Sequence, residues 1–187
     1  MQELVTLDLE NMDIQINYYI KLFLILILLL TPNKVFPSCD DSLNDGVDYS
    51  NCQFSDSQNL VGSYLPNSNL KFTGFIKVNF DKSIMMNSIM SFGNFSESSF
   101  FRANLYEANL EGGNFEKANF TSANLTRSNF SGSSLIGANF TNSNLFEANF
   151  IGANILNATF EGANLNNAIW IDGKKCKLGS IGMCIKE

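Results

Sequence analysis

The cysteines are the residues whose chemistry is most constrained by position. The four of them, Cys39, Cys52, Cys176 and Cys184, sit near the two ends of a 187-residue chain. They lack the C-x-x-C spacing of a zinc or thioredoxin site. An even count downstream of an apolar leader is read instead as two disulfides, which allows three connectivities. Sequence proximity favours Cys39–Cys52 and Cys176–Cys184. Histidine, the commonest general base and metal ligand, is absent. No nucleophile–base pair, phosphate-binding loop or paired carboxylates stand out, and Glu107, Glu111 and Glu147 read as solvated turn residues. The expectation is a non-enzyme with no cofactor, no metal site and no small-molecule substrate.

The apolar run Leu22–Leu30 is shorter than the roughly 20 residues that span a bilayer, and matches a signal-peptide core of roughly 7–15. Residues 1–38 are therefore expected to be a cleaved signal segment and the mature protein to be periplasmic or extracellular. Glu3, Asp8, Glu10 and Asp13 precede the lone Lys21, which is unusual for a signal, and translation from Met12 would remove most of that acidity. Phe36-Pro-Ser-Cys39 loosely resembles a lipobox, but a lipid on Cys39 would strand one of the other three cysteines. Contact with a membrane is expected only through the signal segment or such an anchor.

Between the cysteine pairs the spacing is of another kind. A large apolar residue recurs every fifth position from Leu60 to Trp170, in 23 consecutive units. Two residues before most of these centres stands Ala, Ser or Gly, as at Ala103, Ala108, Ala118 and Ala123. A helix buries its face at 3.6 residues and a strand at 2, so neither accounts for a period of five. A small and a large residue two apart point to one side of a short extended piece, and the remaining two residues turn the chain. Four such units close a coil of 20 residues. Coils then stack at the ordinary interstrand spacing of about 4.8 Å, because a single coil cannot bury its own core.

The tandem A-N-L-x-x and A-N-F-x-x units resemble the pentapeptide repeat family. That resemblance implies an all-β fold, a right-handed quadrilateral β-helix of nearly six coils. The expected organisation is an N-terminal cap with a degenerate first repeat over 39–59, the β-helix over 60–170, and a disulfide-stapled C-terminal cap over 171–187. Val47–Phe54 is that degenerate unit, and one extra residue between Phe54 and Leu60 predicts a bulge. Trp170 is expected to plug the last coil, beside the charged edge of Lys174, Lys175 and Lys177.

Asparagine precedes the centre in 15 of the 23 units and aspartate in none. An asparagine ladder accounts for this, since stacked carboxylates would repel. Some members of the family mimic duplex DNA and bind gyrase, which requires a strongly acidic solenoid. From Leu60 to Trp170 six basic residues oppose seven acidic ones, a net charge of −1, so a cytoplasmic gyrase-binding DNA mimic is the secondary reading. No basic stripe points to nucleic acid. The leading expectation is an exported structural or protein-interaction module.

Departures from the repeat mark the surface where a partner, or a second copy, would bind. One face carries Ile84, Met86, Tyr106 and Phe146, and the next carries Phe72, Ile89 and Phe92. Ile84 and Ile89 occupy the slot where asparagine is the rule. A smaller pair, Ile136 and Leu156, lies on a further face.

Overall fold

The structure, a computed structural model, describes Cys39, residues 43–54 and residues 56–186. The signal segment over 1–38 and the alternative start at Met12 lie outside the described residues. The fold described is that of the compact unit Phe36–Glu187.

Single-residue parallel bridges join each residue preceding a centre to its counterpart 20 positions on, from Asn59↔Asn79 to Asn149↔Ile169. A coil therefore takes four five-residue units. Before that point the offset is 21, at Asp48↔Asn69 and Gln53↔Gly74. The extra residue thus lies between Gln53 and Asn59, where the bulge was expected. The repeat geometry also reaches back to Tyr49, which is buried like the centres from Leu65 to Phe150, while the Phe54 ring stacks on Phe75 at 4.1 Å between centroids.

The two corner residues are built as a tight turn. The N–H three residues after a centre donates to that centre's carbonyl, as Ala103 N–H does to Phe100 (3.0 Å) and Ala123 N–H to Phe120 (3.0 Å). The second corner residue has positive φ throughout, from Asn67 (57°) to Asn167 (60°). A 4→1 bond with positive φ at its third residue is the signature of a type II turn. Glycine would be cheapest there, yet Phe72, Lys77, Arg102 and Glu107 adopt the same conformation. Each non-glycine corner costs roughly 1–2 kcal/mol. The stack above and below holds it in place.

The asparagines satisfy the first corner N–H. Asn104 Oδ1 accepts from Tyr106 N–H (3.3 Å), Asn119 from Thr121 (3.1 Å) and Asn154 from Leu156 (3.2 Å). Some also bond along the stack, as Asn124 Nδ2 to Asn104 Oδ1 (3.1 Å) and Asn149 to Asn129 (3.1 Å). Where serine or threonine takes the small position, its hydroxyl can donate to the preceding centre's carbonyl, as in Thr73 to Leu70 (2.6 Å) and Ser128 to Leu125 (2.8 Å).

The core keeps its content constant from coil to coil. Each set of four centres from Leu65 to Phe160 holds two phenylalanines and two aliphatic residues. In the early coils the aromatics are neighbours (Phe75 and Phe80; Phe95 and Phe100; Phe115 and Phe120), and in the later ones they face each other across a leucine or isoleucine (Phe130 and Phe140; Phe150 and Phe160). Keeping the ring count fixed keeps the filled volume fixed, which a close-packed interior of repeating cross-section demands. One column, Phe80–Phe100–Phe120–Phe140–Phe160, runs uninterrupted with centroids 5.0–5.2 Å apart and planes within 8°.

Gly93 sits in the small-residue slot, and a Cβ there would lie 2.5 Å from the Phe95 ring and 3.1 Å from the Thr73 carbonyl oxygen. Phe95 is fully buried between Phe75 and Phe115, so it has nowhere to yield. Gly93→Ala is expected to lower stability by about 1–3 kcal/mol, read as a shift in denaturant midpoint. An unchanged midpoint would show that the ring column can slide.

Candidate interaction surface and caps

The corner at Phe72 and Phe92 is the largest apolar departure from the repeat. Both rings are about half exposed, 46% and 49%, and stack on each other at 5.5 Å. Lys71 Nζ lies 4.9 Å and 5.6 Å from the two ring centroids, within cation–π range. Below them the column continues with Gly112, whose φ is +62° and whose added Cβ would fall 2.5 Å from the Phe92 ring. The turn favours glycine there without demanding it, since other residues take the same corner conformation, whereas the ring lying across the position leaves no room for a Cβ. Two phenylalanines in left-handed backbone are uncommon and costly.

Around the same coils Ile89 is exposed and Ile84 and Met86 are half-buried. Ile84 and Ile89 cannot supply the side-chain acceptor that asparagine gives to the N–H two residues on. Exposed Tyr64 bridges to Ile84 and exposed Val61 lies on the neighbouring corner, enlarging the patch beyond the residues singled out from sequence. Their signal was available, since Tyr64 is also an exception in an asparagine slot.

Tyr106 and Phe146 are both half-buried. Tyr106 belongs to a polar cluster: its hydroxyl accepts from Arg127 Nη1 (3.2 Å). Arg127 also bonds Glu147 through Nε (2.8 Å) and Glu107 through Nη1 (3.3 Å), forming a ladder along one corner. Hydrogen bonds to Glu147, Tyr106 and Glu107, in that order, raise the affinity of the guanidinium for its proton. On the further face Ile136 is half-buried and Leu156 is exposed, 61%.

The disulfides are Cys39–Cys52 and Cys176–Cys184, the pairing favoured by proximity. The C-terminal tail reverses after Trp170, whose N–H donates to Lys174 (2.8 Å), and runs back antiparallel to the last coil through Ile169↔Lys175 and Asn164↔Ile181. Trp170 packs on Phe150 and Phe160 at 5.6 and 5.3 Å. The Lys186 ammonium closes the tail on Asp172 (2.7 Å) and holds that carboxyl below the usual aspartate range. A depressed folded-state pKa contributes stability above the unfolded value, lost as pH falls through the folded one. Acidification is therefore expected to free the Lys186 end, with a small effect because the pair is exposed and screened. Faster exchange of the Lys177 amide in acid than its intrinsic rate accounts for would show it, and an exchange rate that follows the intrinsic pH trend would contradict it. Among the described residues no cluster of three His, Cys, Asp or Glu could hold a metal ion.

Parallel bridges every 20 residues, left-handed corners and a packed axis define the class: a β-solenoid of five-residue units. Models of pentapeptide repeats (8 copies) match residues 87–116 and 103–142, and a model of pentapeptide repeats (9 copies) matches 125–169. The chain is a pentapeptide-repeat protein. It resembles two trypsin-treated variants of QnrB1, a plasmid-mediated fluoroquinolone resistance protein. Both are 25% identical, one with TM-score 0.59 covering 64% of this chain and 61% of that one, the other with 0.53 covering 65% and 62%. The chain thus spans about three-fifths of the length of the QnrB1 structures it matches. Rfr23, a pentapeptide repeat protein from the cyanobacterium Cyanothece 51142, is 22% identical with TM-score 0.46, covering 66% and 90%. No curated protein sequence matches the chain. The likeness to the two QnrB1 structures supports a right-handed β-solenoid.

Proposed function

We propose that the chain is an exported, non-catalytic β-solenoid of nearly six four-sided coils, which acts by binding a protein through the patch formed by Ile84, Ile89, Phe72 and Phe92. The observation that carries this reading is that Ile84 and Ile89 stand where the repeat uses asparagine. They forgo a hydrogen bond that asparagine supplies in most of the other units, beside two strained and half-exposed phenylalanines. Exposed apolar groups gathered in one place mark interfaces more often than scattered ones do. Disulfides fastening both end segments support an oxidising compartment.

Ile84→Asn with Ile89→Asn tests the patch. Restoring each hydrogen bond is expected to raise stability by about 0.5–1.5 kcal/mol while abolishing association with the native partner. A variant that is both more stable and still fully associated would remove the patch from consideration. Cell fractionation with an intact mass of the mature protein tests the compartment, the cleavage point and the state of Cys39 together.

A second reading, a cytoplasmic gyrase-binding protein, draws on the likeness to QnrB1. It requires recovery from the cytosol with reduced cysteines and an effect on gyrase supercoiling. The nearly neutral solenoid weighs against DNA mimicry.

A further inference from the structure

The C-terminal cap covers only half of the last coil. Within the solenoid each side offers two N–H groups and one carbonyl toward the next coil. At the Leu135 side these are Leu135 N–H to Asn154, Gly137 N–H to Leu156, and the Ser133 carbonyl accepting from Asn154 (2.8–2.9 Å). In the last coil the tail satisfies the corresponding groups of the Leu165 and Trp170 sides. Ser180 accepts from Leu165, Cys176 accepts from Asn167, and Gly182 and Cys176 donate to Ala163 and Ala168 (2.8–3.0 Å). The Ile155 and Phe160 sides receive nothing. The N–H groups of Ile155, Asn157, Phe160 and Gly162, and the carbonyls of Ala153 and Ala158, make no hydrogen bond among the described residues. Consistently, Leu165 is fully buried while Ile155 and Phe160 are only half-buried.

We infer that this open edge is a docking site for an extended, acidic segment of a partner protein, which adds itself as the next strand. Strand addition is how an exposed sheet edge takes a peptide. The chemistry of the occupant follows from what the edge presents. Four donors face two acceptors, so the edge asks for a carbonyl-rich strand face. Lys174, Lys175 and Lys177 are exposed on the adjoining cap and form no ion pair among the described residues, with Glu161 the opposing carboxylate on the edge itself. Exposed Leu156, between the two open sides, and Met183 (70% exposed) beyond Gly182 call for apolar residues alternating with the acidic ones. Gly182 approaches Gly162 across the corner, a Cβ on it falling 3.4 Å from the Gly162 nitrogen, so the tail borders the Phe160 end of the gap.

A second copy fits this edge poorly. Antiparallel pairing of the edge with itself sets N–H against N–H at the centre of each side and brings the two lysine groups together.

The assignment rests on the interaction-module reading but uses a different surface, so the two fail separately. The oxidised full chain, labelled for amide exchange, is mixed at low salt with a synthetic peptide of about ten residues alternating Glu and Val, a normal strand length. A peptide alternating Lys and Val serves as control. The acidic peptide is expected to slow exchange at Ile155, Asn157, Phe160 and Gly162 by roughly tenfold or more, and the basic one to leave them unchanged. The Ile84→Asn, Ile89→Asn variant is expected to keep this response. Ile155→Pro deletes an N–H that has no internal partner and is expected to weaken peptide binding about tenfold. No slowing with the acidic peptide, or equal slowing with both, overturns the proposal. So does prior protection of these amides in a protein that sediments as a dimer or filament, which would make a second copy the occupant. If Ile155→Pro does not fold, the exchange result on the unmodified chain decides alone.

Discussion

Phe120→Ala is expected to cost roughly 3–5 kcal/mol, a large part of the stability of a domain of this size. Phe120 stacks on Phe100 and Phe140 at 5.0 Å and meets Phe115 and Phe130 at its edges. Truncation leaves a hole in the middle of the one unbroken aromatic column. It also strips contacts from the coils on both sides. In a stacked protein nearest-neighbour interfaces carry the cooperativity, so the unfolding transition should broaden as well as move. Phe120→Leu keeps a large apolar residue at the axis and is expected to cost less. Denaturant titration followed by both tryptophan emission and backbone signal checks this. A loss near that of an exposed substitution, under about 0.5 kcal/mol, would mean that the column does not carry the stack.

The second large effect concerns the wall. Asn104, Asn124, Asn144 and Asn164 lie in one column joined by successive bridges. Replacing all four by aspartate keeps the size and the acceptor for the corner N–H. It removes the amide donors, such as Asn164 Nδ2 to Asn144 Oδ1 (3.0 Å), and stacks four carboxylates at strand spacing. Two unit charges 4 Å apart repel by about 1 kcal/mol in water and about 4 at the permittivity of a protein surface. Three adjacent pairs are therefore expected to cost several kcal/mol at neutral pH. Each charge raises its neighbours' pKa, so the folded state binds protons more tightly than the unfolded state. Stability should fall as pH rises through the carboxylate range and recover on acidification. Thermal melts from pH 4 to 8 measure this, and a pH-independent deficit would show that the lost amide bonds, not the charges, exclude aspartate from the slot.

The period of five made most of this architecture legible. Once small, asparagine and large residues are assigned to wall positions, the 20-residue offset, the buried centres and the direction of each corner follow. Even the change from neighbouring to facing phenylalanines between Phe115–Phe120 and Phe130–Phe140 can be read from residue types. The pattern loses its hold where it stops. Residues 171–187 have no repeat, so their antiparallel course over the Leu165 and Trp170 sides depends on contacts that spacing does not encode. The half-covered last coil was invisible for that reason. Corner residues were only partly legible. Phe92 lies across Gly112 because glycine leaves room one coil below, whereas Tyr106 turns its hydroxyl to Arg127, a polar partner 21 positions away. Apolarity alone ranked these two equally as surface candidates.

The fixed turn of 20 residues also sets how this molecule can change in length. Duplicating or deleting a whole turn moves the capped ends apart or together by about 4.8 Å and leaves every column and both caps in the same orientation. Gaining or losing a single five-residue unit keeps a packed axis but swings everything beyond it by one side. The Phe72–Phe92 corner and the open edge at Ile155–Phe160 would then point along different directions relative to each other. Evolution of the chain by small repeats thus has two separable gears. One changes reach and the other changes the angle between the Phe72–Phe92 corner and the open edge, without touching a residue in either.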